Sequence, residues 1–137
     1  MSSFRIFDIA GAGMSAESVR LNTVASNLAN ADSVSGSAAS AYRAKYPVFQ
    51  AVNAGASDPS GASVKVVGVT QSDAAPASRY DPGNPLADSQ GYVYSSNVNV
   101  VEEMTDMISA SRSYQNNVEV LNTSRDMMLD TLKLGQS

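Results

Sequence analysis

The sequence predicts an α+β fold, mainly α, in which long N- and C-terminal helices pair as a coiled coil beside a small middle segment rich in β structure and loops. Three observations lead there. Both ends carry apolar residues at alternating steps of three and four, the spacing that lays one stripe along a helix. The stretch between them loses that period and fills with Ala, Ser, Gly, Asp and Pro. Within it lie only short β-prone runs. The chain thus divides into an N-terminal coiled-coil helix over residues 1–31, a β- and loop-rich middle over 32–97, and a C-terminal coiled-coil helix over 98–137.

The first stripe runs through Phe7, Ala10, Met14, Leu21, Val24, Leu28 and Ala31, interrupted by Glu17. In the middle, residues 33–41, 54–62 and 72–88 read as loops and turns. Residues 46–52, 64–70 and 91–95 read as strands, with Val64, Val66 and Val69 supplying β-branched bulk and Tyr92 and Tyr94 sharing one face. So few strands need the helices for support. Tyr80-Asp81-Pro82-Gly83-Asn84-Pro85 is a dense turn signal and reads as a rigid corner. The second stripe runs through Met104, Met107, Tyr114, Val118, Leu121, Met128 and Leu132, with Ser111 and Arg125 as polar intrusions. Its period near 3.5 is that of a coiled-coil seam. Asn97 or Asn99 suits the N-cap of this helix. Glu102, Glu103 and Asp106 then fall in its first turns, where negative charge favours the helix dipole, and read as a solvated face rather than an acid/base pair. Arg112 and Arg125 read as surface or seam-edge residues. At about 1.5 Å per residue the two helices span roughly 40 to 55 Å each, long for such a chain.

Composition removes most alternatives. A chain of 137 residues, 43% apolar, suits one ordinary domain and leaves little room for a separate catalytic one. The net charge of −4 and a pI near 4.6, with nine Lys and Arg scattered singly, give no basic stripe for nucleic acid. The absence of Cys and His excludes disulfides, thiolate chemistry, Cys/His zinc sites and a Ser-His-Asp relay. No run of about 18 apolar residues could span a bilayer, so no integral membrane protein is expected, and no cleavable signal is evident; if the protein leaves the cytosol it is expected to use another route.

Gly11-Ala12-Gly13-Met14-Ser15-Ala16 fits the G-x-G-x-x-A dinucleotide fingerprint, with Asp32 near the place of a ribose-binding acid. The heptad passes through those glycines, however, and the later chain lacks alternating strands and helices, so the segment reads as helix. Helix-interior glycines there imply close packing or a helix marginal on its own. Asp81 and Asp88 are too few oxygen donors for a calcium loop. No catalytic, cofactor-binding or metal residue is assigned.

Several segments together resemble the flagellar rod and hook family. Ala25-Ser26-Asn27-Leu28-Ala29-Asn30-Ala31-Asp32 is similar to the Asn-rich end of the family's N-terminal helix. Tyr42-Arg43-Ala44-Lys45, the Tyr80 to Pro85 turn, Gly91-Tyr92-Val93 and Asn97-Val98-Asn99-Val100-Val101-Glu102-Glu103-Met104 follow in the order of its proximal rod branch. Residues 108–123, including Tyr114-Gln115-Asn116-Asn117-Val118-Glu119, match most closely. Asp32-Ser33-Val34-Ser35-Gly36-Ser37 departs from the wider family by delaying the aromatic residue to Tyr42.

The resemblance implies a structural subunit of the bacterial flagellar basal-body rod, not an enzyme. In such proteins the terminal helices pair as an antiparallel coiled coil lining a tubular shaft, which transmits torque and carries the export channel, while the middle faces outward. It further implies export unfolded through the flagellar type III apparatus and assembly in the periplasm. The implied neighbours are other proximal rod proteins, the distal rod protein and the adaptor joining rod to base. The expected assembly interface comprises Met14, Leu21, Val24, Leu28, Met107, Tyr114, Val118, Leu121, Met128 and Leu132, with Leu21, Leu28, Val118 and Leu121 central. A seam diluted by Ala10, Glu17, Ser111 and Arg125 buries modest apolar area, so the expected monomer is partly disordered and orders on assembly. A free-standing coiled-coil adaptor would share the heptads but not the Asn-rich segment.

Overall fold

The computed structural model describes residues 3–53 and 61–135; the loop-prone stretch 54–62 lies outside them up to residue 60. In chain order the elements are α1 (Ser3–Ala29), β1 (Val34–Ser35), β2 (Lys45–Asn53), β3 (Ala62–Gln71), β4 (Ser78–Tyr80), β5 (Tyr92–Ser95) and α2 (Val100–Leu134). The two helices, of 27 and 35 residues, pack side by side. They run antiparallel, because Phe7 shares a groove with Met128 and Leu132, Gly13 faces Asn117, Arg20 bonds Asp106, and Asn27 bonds Glu103. Asn99 caps α2, its side-chain oxygen accepting from the N–H groups of Val101 and Glu102.

α1 is covered on most of its circumference, by α2 on one side and by the β2–β3 hairpin on another. Phe7, Ala10, Met14, Glu17, Leu21, Val24, Leu28 and Ala31 all lie on covered sides. The one exposed row, Asp8, Gly11, Ser15, Ser18, Asn22, Ala25 and Ala29, holds only small or polar side chains. α2 is covered along two rows. One, Met107, Tyr114, Leu121 and Met128, coincides with the stripe read from sequence. The other is Glu103, Ala110, Asn117 and Ser124, one position before the expected Met104, Ser111, Val118 and Arg125. Met104 is therefore 54% exposed and Leu132 60%. Close approach explains the shift. A Cβ on Gly13 would stand 2.8 Å from Asn117 Nδ2, and Ala16 and Ala110 are both buried, so small residues let the axes come together. Met104 and Leu132 of the adjacent row are left outside, while Val118 is half-buried. Arg112 and Arg125 are exposed, and Gly11, unlike Gly13, faces open space.

β2 and β3 form a two-stranded antiparallel sheet, and the three-stranded sheet has the order β1-β5-β4. Between Val48↔Gly68 and Phe49↔Val66 the register slips, leaving Val67 as the extra residue. That bulge brings Val69 onto the same face as Val64 and Val66 despite the odd spacing. The hairpin runs along α1, with Lys45, Val69 and Gln71 near Thr23 and Ser26, and Gly61 near Arg5. The sequence-read corner is real: the Asn84 N–H donates to the Asp81 carbonyl, and Gly91 adopts φ +84° where a Cβ would strike the Tyr80 ring. The rings of Tyr80 and Tyr92 meet edge to face at 5.3 Å.

Among the described residues the buried apolar ones are Ala10, Ala16, Val24, Ala41, Ala44, Val93 and Ala110. A core made so largely of alanine contributes little per residue at about 25 cal/mol per Å² of apolar surface, so hydrogen bonds must define how the elements meet.

Candidate functional site

The elements meet at a polar junction centred on Asn27, which is 0% exposed and is one of the two largest fully buried side chains. Its Nδ2 donates to the Lys45 carbonyl and to Glu103 Oε1, each at 2.8 Å. Its Oδ1 accepts from the Lys45 N–H at 2.9 Å and from the Tyr42 hydroxyl at 3.1 Å. One amide thus satisfies all four of its hydrogen-bonding positions and ties α1 to α2 and to the first residue of β2. Tyr42 also hydrogen-bonds Ser26 and lies beneath the Lys45 ammonium, 5.5 Å from the ring centre. A second amide works alongside: Asn97 Oδ1 accepts from the buried Ala44 N–H at 2.7 Å while its Nδ2 donates to the Ala74 carbonyl. Asn30 caps back onto the Ser26 carbonyl.

Electrostatics at the junction are acidic. Arg20 donates to Asp106 at 3.0 Å and stands 3.7 Å from Glu17, an ion-pair distance but too long for a hydrogen bond. Glu103 is only 2% exposed, so the face expected to be solvated is sealed at this residue. Burial pushes its carboxyl above the usual range, the Asn27 hydrogen bond lowers it in part, and Asp106 and Glu102 raise it further. The Tyr46 phenol is raised by burial and then by Glu103, Glu102 and Asp106, which sets β2 beside the start of α2.

The other motifs have local roles. Gly11 to Ala16 lies inside α1 without the strand and turn that a dinucleotide site needs. Asp88 accepts from the N–H groups of Gln90 and Tyr92 and from the Tyr94 hydroxyl, and Asp81 pairs with Arg79, so both carboxylates serve the turn. Among the described residues no group of three acids could hold a metal ion, and no helix is long and apolar enough to cross a membrane.

Of the expected interface residues, Val24 is buried, Met14, Leu21, Leu28, Met107, Tyr114, Val118, Leu121 and Met128 are half-buried, and Leu132 is exposed. Near the N-terminal end of α1, Phe7, Arg125, Met128, Leu129 and Leu132 line an apolar groove of about 360 Å³. Outward along α2 stand Val101, Met104, Ile108, Val120, Met127 and Leu134, all exposed. Sequence reasoning missed Asn27, Glu103, Asn97 and Asn117 as contact residues. The available signal was the pairing of an Asn-rich helix end with a later Tyr42-Arg43-Ala44-Lys45.

Architecturally, a junction of amides and carboxylates fastens two long helices to a hairpin as a hydrogen-bonded scaffold. Comparison with known proteins gives the particular scaffold. Residues 7–44 match the family described as flagella basal body rod protein, and residues 89–134 match that described as flagellar basal body rod FlgEFG protein C-terminal. Over 136 residues the chain is 58% identical to the flagellar basal-body rod protein FlgC of Escherichia coli O6:H1, 57% to that of Salmonella typhimurium and 53% to that of Yersinia enterocolitica. Each comparison covers 99% of this chain and 100% of the relative. The chain belongs to the flagellar basal-body rod family, as a FlgC-type structural protein of the basal body and not an enzyme.

Proposed function

We propose that this protein is a proximal-rod subunit that polymerises through its terminal helices into the tubular drive shaft, transmitting torque and enclosing the export channel. α1 and α2 wind as an antiparallel coiled coil toward the bore, and the β2–β3 hairpin and the three-stranded sheet face outward. The subunit travels unfolded through the flagellar type III apparatus and assembles in the periplasm. Its neighbours there are other proximal rod proteins, the distal rod protein and the rod-to-base adaptor. The observation that carries this reading is the outward face of α2, where Met104, Ile108, Met127 and Leu134 stand more than half exposed beside a core built largely of alanine. Such residues gain by burial against neighbours what the monomer leaves unburied.

The test is Ile108→Asp. Because Ile108 is 55% exposed, the change should leave folding and export intact while preventing rod completion. Loss of motility with normal export is the expected result, and a motile Ile108→Asp strain would sink the proposal. Leu121→Asp, on the covered row, should also abolish motility while leaving the chain soluble.

A further inference from the structure

Among the described residues Glu103 is the one buried carboxylate, and the groups around it leave its charge without a cation. From α1 it receives the Asn27 amide at 2.8 Å, while Arg20, the α1 cation opposite the start of α2, is committed to Asp106 at 3.0 Å and faces Glu17. From β2 the Lys45 carbonyl shares the Asn27 amide with it and the Tyr46 phenol feels its charge, while the Lys45 ammonium sits over the Tyr42 ring. From α2 itself come two more acids, Glu102 and Asp106. Among the described residues Asn27 is its sole hydrogen-bond donor and no cation pairs with it. A buried anion in such surroundings is costly, and binding a proton removes that cost.

We propose that Glu103 is a proton-operated latch on the junction of α1, α2 and the hairpin, closing it firmly when protonated and loosening it when ionised. The direction follows from linkage. The folded-state carboxyl titrates above its ordinary 4.5, so its contribution to stability is complete below that value and is lost as pH rises through the folded-state value. A neutral Glu103 still offers its carbonyl oxygen to Asn27 Nδ2, so protonation removes the charge without breaking the contact. The reporters are close at hand: the Lys45 N–H rests on Asn27 Oδ1 and the Ala44 N–H on Asn97 Oδ1.

The experiment is amide hydrogen exchange of the full-length chain from pH 8 to pH 5, corrected for the intrinsic pH dependence of exchange, on the natural sequence and on Glu103→Gln. In the natural chain, protection of Lys45 and Ala44 rises as pH falls. In Glu103→Gln, which keeps an acceptor for Asn27 but no charge, protection stays high across the range and its pH dependence is lost. A carbon-13 titration of the Glu103 carboxyl above the ordinary glutamate range completes the expected result. Four outcomes each overturn the latch: protection flat with pH, protection rising with pH, a pH dependence that survives in Glu103→Gln, or unprotected Lys45 and Ala44 at every pH.

Discussion

Replacing Asn27 with alanine tests whether hydrogen bonding rather than apolar burial joins the elements. The substitution leaves three partners stranded: the Lys45 N–H, the Lys45 carbonyl and the Glu103 carboxylate. Tyr42 keeps Ser26 and loses less. A buried polar group deprived of its partner costs about 1–3 kcal/mol, so the low end for three such groups is about 3 kcal/mol. That is a large share of the roughly 5–15 kcal/mol that holds a typical domain together. With a urea m-value of about 1–3 kcal/mol/M, the unfolding midpoint should fall by about 1 M or more. The assay is urea unfolding followed by circular dichroism at 222 nm on the full-length chain at neutral pH. Asn27→Asp, similar in shape, should fare no better there because it removes both donors and sets a second carboxylate against Glu103. It should recover in part on acidification. A loss below about 1 kcal/mol in Asn27→Ala would refute the reasoning, since water would then be replacing the amide without cost.

Other perturbations separate local causes. Gly11→Ala, which meets nothing within 4 Å, should stabilise α1 by about 0.5–1 kcal/mol, whereas Gly13→Ala must displace Asn117 and should fall short of that gain in thermal unfolding. The reverse order would place the close helix approach elsewhere. Gly91→Ala forces an L residue to φ +84° and a Cβ to 2.9 Å from the Tyr80 ring, so it should cost about 1–2 kcal/mol and weaken the near-ultraviolet signal of the tyrosine pair. Asp88 is held below its usual 3.8, chiefly by the Tyr92 N–H, with desolvation opposing it and the Gln90 N–H, the Tyr94 hydroxyl and Gly91 adding to the lowering. Its contribution is present above pH 3.8 and lost as pH falls through the lower folded-state value, so Asp88→Asn should reduce the loss of stability below pH 4 in an acid titration.

The helices were legible because a period of 3.5 repeated over many turns leaves few alternatives, and their inner ends, Ala29 and Val100, lie within two residues of the expected boundaries at 31 and 98. The strands at 46–52, 64–70 and 91–95 were legible from β-branched and aromatic runs. By contrast β1 and β4, of two and three residues, carry no pattern of their own and exist because β5 lies between them. The bulge at Val67 was equally silent, since the spacing of Val64, Val66 and Val69 does not say which partner residue goes unmatched.

The sequence by itself determined two amphipathic helices, a β-bearing middle, an Asn cap, a rigid corner at Tyr80 to Pro85, and the family. Periodicity can announce a stripe, but neighbouring rows on a helix differ by only about 100° and both rows of α2 repeat every seven residues. Only the tertiary structure decided between them. The absent side chain at Gly13 admits Asn117, and the buried amide of Asn27 holds Glu103 inward by a hydrogen bond, so the row of Glu103, Ala110, Asn117 and Ser124 faces α1. Met104, one position on, is turned to the outside. A polar residue buried for its hydrogen bonds looks, in sequence, like any residue left in water, and the contact that tells them apart spans 76 positions of the chain.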